Sequence, residues 1–113
     1  MRYVQEIKID KDDFEVINRY LTIQPTCEEE AQDEDDTIIY TAKFPDGKFV
    51  DVKCCGVQFE EGGENTSWSE AVLFDKDGYE IACSEVCEDF LGEWELTDSM
   101  SGNVYVANVV LKN

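Results

Sequence analysis

Thr37-Ile38-Ile39-Tyr40-Thr41-Ala42-Lys43-Phe44, then Pro45-Asp46-Gly47, then Lys48-Phe49-Val50-Asp51-Val52-Lys53-Cys54-Cys55-Gly56-Val57 is the stretch that decides the fold. Both arms are rich in β-branched and aromatic residues, and the three residues between them carry the turn chemistry of a tight reversal that needs a positive φ. The reading is a β-hairpin. A second hairpin follows on the same grounds, Trp68 to Phe74 and Tyr79 to Cys87 around Asp75-Lys76-Asp77-Gly78. Both turns run from Phe through Asp-Gly to an aromatic residue. That is either a weak internal repeat or, more simply, the same turn chemistry arising twice.

A third hairpin joins Gly92–Thr97 to Val104–Leu111 through Ser99-Met100-Ser101-Gly102-Asn103, with Trp94 and Leu96 on one face and Glu93 and Glu95 on the other. Working back toward the N-terminus, residues 2 to 9 alternate as a strand, Tyr3, Ile7 and Ile9 opposite Arg2, Glu6 and Lys8. A helix follows, with Asp10 as its cap, Asp13 in its first turn and Ile9 and Phe14 placed as a hydrophobic staple. Phe14, Ile17 and Leu21 form its apolar stripe, Val16 and Tyr20 stand beside them, and Pro25 ends the segment. Residues 26 to 36 lack apolar periodicity and form an acidic connector. The expected fold is α+β: an antiparallel sheet of about six to seven strands built from hairpins, with one N-terminal helix packed on it, in a single domain over 1–113. One facing stays ambiguous. In Trp68-Ser69-Glu70-Ala71-Val72, Glu70 falls on the aromatic side, and a slip of one residue would reverse the assignment.

Function has to be read mainly from charge. Twenty-seven Asp and Glu against nine Lys and Arg leave a net charge of −18 on 113 residues, far more acid than solubility requires. Between Cys54 and Leu111 the sole basic residue is Lys76, against thirteen acids, and Glu28-Glu29-Glu30-Ala31-Gln32-Asp33-Glu34-Asp35-Asp36 adds seven carboxylates in nine positions. Internal salt bridges cannot neutralise such stretches. With 42% hydrophobic and 12% aromatic residues the chain still has the material for a core. No basic-then-apolar leader opens it and no stretch approaches the ~20 apolar residues that span a bilayer, so a cytoplasmic location is expected, away from anionic membranes. Cys27, Cys54, Cys55, Cys83 and Cys87 form an odd set without a disulfide framework. Reduced thiols are expected, and the sequon Asn65-Thr66-Ser67 is then a coincidence of composition.

Enzymatic chemistry finds little to stand on. There is no histidine, hence no common general base and no usual partner for a Ser or Cys nucleophile; among 27 acids some close carboxylate pair is inevitable. A zinc site from Cys54, Cys55, Cys83 and Cys87 is opposed by strand geometry. Adjacent residues point to opposite faces, and residues 83 and 87 on one strand stand about 13 Å apart. Asp75-Lys76-Asp77-Gly78 looks like part of a calcium loop, but aligning its glycine puts Leu73 at the first ligand position. No cofactor is expected. Direct nucleic-acid binding is disfavoured because the field repels phosphates.

Inverted, the same field can occupy the basic groove of a nucleic-acid-binding protein. A 12.9 kDa fold exposes about 6,300 Å² by the usual scaling, or one net charge per about 350 Å². B-DNA presents about one per 110 Å². Mimicry therefore needs the acids gathered on about half of the surface. The candidate partner-binding residues are Glu28, Glu29, Glu30, Asp33, Glu34, Asp35 and Asp36 of the connector, Glu60, Glu61 and Glu64, Glu80 and Glu85, Glu88 and Asp89, and Glu93 and Glu95.

In size, acidity, lack of histidine and lack of a catalytic set, the chain resembles the small DNA-mimic inhibitors of phages and mobile elements, of the anti-CRISPR and anti-restriction type. The resemblance is one of class and implies a partner, a basic nucleic-acid-binding protein such as an RNA-guided nuclease or restriction enzyme. It carries over no residue. The competing expectation is a protein-interaction module anchored by Trp68, Trp94 or Tyr105, with acidity serving solubility. A third, a small enzyme using carboxylates or Cys83, lacks a visible site.

Overall fold

The computed structural model describes residues 1–22, 26–27, 29, 38–54, 59, 61–62, 68–86 and 90–112. Strand β1 (Arg2–Ile9) leads into helix α1 (Lys11–Thr22), and six strands follow: β2 (Ile38–Lys43), β3 (Phe49–Cys54), β4 (Ser69–Phe74), β5 (Glu80–Val86), β6 (Gly92–Thr97) and β7 (Val104–Leu111). The mixed α+β class and the N-terminal helix agree with the sequence reading; the single antiparallel sheet does not. The strands divide into two sheets, β1-β7-β6 and β2-β3-β4-β5. Moreover β1 runs parallel to β7, Arg2 opposite Val104 through Ile9 opposite Leu111. The reason is topological. The helix and connector separate β1 from β2, so β1 completes its ladder against the C-terminal strand, which no hairpin arithmetic reveals.

The two sheets close on one core. Val50, Val52, Cys54, Ala71 and Leu73 from one meet Ile7, Ile9, Trp94, Leu96, Tyr105, Ala107 and Val109 from the other, all buried. The edges also approach, β1 beside β2 and β5 beside β6, which gives a flattened sandwich. Helix α1 begins where the Phe14 amide bonds the Asp10 carbonyl at 2.9 Å. It buries Ile17 and Leu21, and its Ile17 carbonyl accepts the Cys54 thiol at 3.9 Å, at the end of β3.

This arrangement gives the sandwich two unlike ends. The register row Ile38–Cys54–Ser69–Val86 marks the helix end of the larger sheet. The opposite end carries the tight turns. Pro45–Lys48 and Asp75–Gly78 are closed by Asx contacts, Asp46 Oδ1 accepting the Lys48 amide at 3.0 Å and Asp75 Oδ1 accepting the Asp77 and Tyr79 amides at 2.9 Å each. Asp98 does the same in the third turn, accepting from the Met100 amide and the Ser101 hydroxyl at 2.9 Å each.

One network ties the turns of the two sheets together. The buried Tyr105 hydroxyl donates to Asp46 Oδ2 at 2.5 Å. Lys48 Nζ lies 3.4 Å from the same oxygen and 3.9 Å from Asp98 Oδ2, with the Tyr105 ring centroid 5.5 Å away. Burial pushes the Asp46 carboxyl up, but bonds from the Tyr105 phenol and the Lys48 amide outweigh it and hold the group below the usual carboxylate range. The Met100 amide and Ser101 hydroxyl hold Asp98 down likewise. Burial, joined by the bond to Asp46, pushes the Tyr105 phenol up.

Candidate anionic interaction surface

The ambiguity at Glu70 resolves through pairing. Ser69, Ala71 and Leu73 face the core, while Glu70, Val72 and Phe74 face outward. The small Ser69 and Ala71 are what the crowded interior between the sheets admits. The outer face of the larger sheet therefore reads, from turn end to helix end, as rows Lys43–Phe49–Phe74–Glu80, Thr41–Asp51–Val72–Cys83 and Ile39–Lys53–Glu70–Glu85. Residues 80 and 85 differ by an odd number and would sit on opposite faces of a regular strand. A bulge opposite Leu73 and Phe74 skips Ile81, so Glu80 and Glu85 share the outer face. Of its charged residues, Lys43, Asp51 and Lys53 stand on β2 and β3, and Glu70, Glu80 and Glu85 on β4 and β5.

On the smaller sheet Glu93 and Glu95 share the outer face, opposite buried Trp94 and Leu96. They are not left to solvent alone. Arg2 reaches across β7 to Glu95 at 2.8 Å and to Glu93 at 3.9 Å. The outward-facing Val106 beneath is wholly buried, so this charge pair also covers apolar surface. Lys8 pairs with Glu6 at 3.6 Å on the same face. Its field is correspondingly weak.

Of the other candidate acids, Glu29 and Glu61 are exposed. Glu28, Glu30, Asp33, Glu34, Asp35, Asp36, Glu60, Glu64, Glu88 and Asp89 lie outside the described residues. The segments that carry them are nevertheless tethered by described ones. Segment 23–37 runs from α1 to Ile38, segment 55–68 from Cys54 to Ser69, and segment 87–91 from Val86 to Gly92. Ile38, Cys54, Ser69 and Val86 are one register row, so all three segments leave from the helix end. Together they contain twelve acids and no Lys or Arg.

The alternative chemistries fare differently. Cys54 faces the core and Cys83 the outer face of the same sheet, so one metal ion cannot be held by both. The carboxylate of Asp75 is engaged with backbone amides in its turn, and among the described residues no group of three or more acids and thiols is arranged to hold a metal. Trp94 and Tyr105 are core residues, the first donating Nε1–H to the Phe90 carbonyl at 3.0 Å. Neither can anchor a partner. The exposed aromatic surface comprises Tyr79, 73% exposed, the partly exposed Trp68, and a pair the sequence reading did not single out: Phe49 and Phe74, partly exposed, stacked with ring centroids 5.1 Å apart. Their cross-strand register is the signal, and it depends on pairing β3 with β4. No helix among the described residues is long and apolar enough to cross a membrane. No family model, curated protein or solved structure matches the chain.

Proposed function

We propose that the chain is a non-enzymatic inhibitor that acts in the cytoplasm by presenting carboxylates to the basic nucleic-acid groove of another protein, such as an RNA-guided nuclease or a restriction enzyme. The observation that carries this reading is the tethering of three purely acidic segments to one end of the sandwich. Averaged over the 7116 Å² surface, a net charge of −18 is one per about 395 Å², too dilute to compete with a duplex at about one per 110 Å². Twelve carboxylates on a quarter of that surface would reach about one per 150 Å². Opposed fields of this kind speed association and are screened over about 8 Å at physiological ionic strength.

The test is capture of partners from nuclease-treated host lysate on the immobilised protein, followed by a salt gradient and, separately, competing DNA or RNA. The expected result is a nucleic-acid-processing protein released by moderate salt and by the competitor. Neutralising Glu28, Glu29, Glu30, Asp33, Glu34, Asp35 and Asp36 together should then abolish its retention. A partner without a basic groove, or one that resists salt and ignores the competitor, overturns the reading and favours an interaction module anchored on the exposed aromatic pair.

A further inference from the structure

We infer that the outer face of the β2-β3-β4-β5 sheet is a docking surface for arginine side chains, and that its stacked phenylalanines make it select arginine over lysine. The inference rests on the reading above and specifies the chemistry of the partner. Three features converge. First, the face presents apolar surface at Phe49 and Phe74, which stand partly exposed beside Val72, itself buried. Second, Glu70, Glu80 and Glu85 line the β4–β5 half, and among the described residues none of them forms an ion pair. Glu70 and Glu85 are direct cross-strand partners, an unfavourable opposition of like charges, and while Lys53 stands opposite Glu70 on β3, Glu80 and Glu85 lie on the strand beyond it. Third, aromatic ring and carboxylate are neighbours, because Phe74 and Glu80 are register partners on strands about 4.8 Å apart.

That juxtaposition discriminates between the two basic side chains. Phe49 stacks on one face of the Phe74 ring from β3, and Glu80 is the register partner of Phe74 on β5, the strand on its other side. A guanidinium is flat and weakly hydrated, so it can lie against the ring while two of its N–H groups meet a carboxylate in a fork. An ammonium is a compact, strongly hydrated charge that pairs with the carboxylate alone. The basic grooves that bind nucleic acid carry both types, and this face is complementary to the arginine-bearing part.

The experiment compares fluorescent oligo-arginine and oligo-lysine peptides of equal length, titrated with the intact protein at about 0.1 and 1 M salt. Oligo-arginine should bind about two- to fivefold tighter at the lower salt, the yield of one exposed cation–π contact. Phe74→Leu keeps the apolar area and removes the ring, and it should bring the two peptides together. Phe74→Met, which also lacks the ring, serves if Phe74→Leu loses its fold by circular dichroism. Glu80→Gln with Glu85→Gln should weaken both peptides. Equal affinity of the wild type for the two, or an arginine preference that survives loss of the ring, overturns the inference while leaving the acidic reading intact. Absence of salt-sensitive binding to either peptide overturns both.

Discussion

Tyr105→Phe removes one oxygen from the interior and isolates the bond that joins the turn of one sheet to the C-terminal strand of the other. The ring itself stays in place, wedged between Tyr3, stacked at 5.3 Å, and Phe44, edge-on at 5.1 Å, so no cavity opens. What is lost is a 2.5 Å bond to an ionised carboxylate. Bonds to charged groups contribute about 1.5–3 kcal/mol. The Asp46 side chain is 25% exposed and keeps Lys48 at 3.4 Å, so water and the ammonium recover part of the loss. We therefore expect a destabilisation of about 1–2 kcal/mol, or roughly 4–8 °C in Tm for a chain of this length.

The pH dependence gives the sharper test. Asp46 has a folded pKa below its unfolded value, so its contribution is present above about pH 4, the unfolded carboxylate value, and is lost as pH falls through the folded value. Tyr105 has a folded pKa above its unfolded value. Its contribution is therefore complete below about pH 10 and fades as pH rises through the folded value. Urea denaturation of wild type and variant from acid to alkali should show a plateau in their difference near neutrality, shrinking at both limits. A difference under about 0.5 kcal/mol at pH 7, or one that persists unchanged at pH 2, would refute the assignment.

Two further outcomes follow from the turns. Gly47 has φ +95, and a Cβ there would stand 3.3 Å from the Lys76 Cβ, whereas Gly78, at φ +88, faces open space; Gly47→Ala should lose about 1–2 kcal/mol in urea denaturation and more than Gly78→Ala. Asp98 is held below the usual carboxylate range by the Met100 amide and Ser101 hydroxyl; its contribution is present above about pH 4 and lost as pH falls through the folded value, so Asp98→Asn should lower Tm at neutrality and flatten the acid limb of the stability curve.

Much of the fold was legible in the sequence because it is local. The first strand, the helix start after Asp10 and the Gly92–Leu111 hairpin follow from alternation, capping and turn residues that act over a few positions. The strong acidity, the dearth of cations after Cys54 and the absence of histidine were equally plain. The division into two sheets was not, because the parallel pairing of β1 with β7 joins residues about a hundred positions apart, and local patterns carry no record of that partner. Nor could the sequence tell which carboxylates stay uncompensated. Glu93 and Glu95 meet Arg2 only because β7 lies between β1 and β6, and Glu80 joins Glu85 on one face only through the bulge at Ile81. The alternation of a single strand fixes which residues share a face up to its first irregularity. Which charges share a field is decided by the strands that tertiary packing brings beside it.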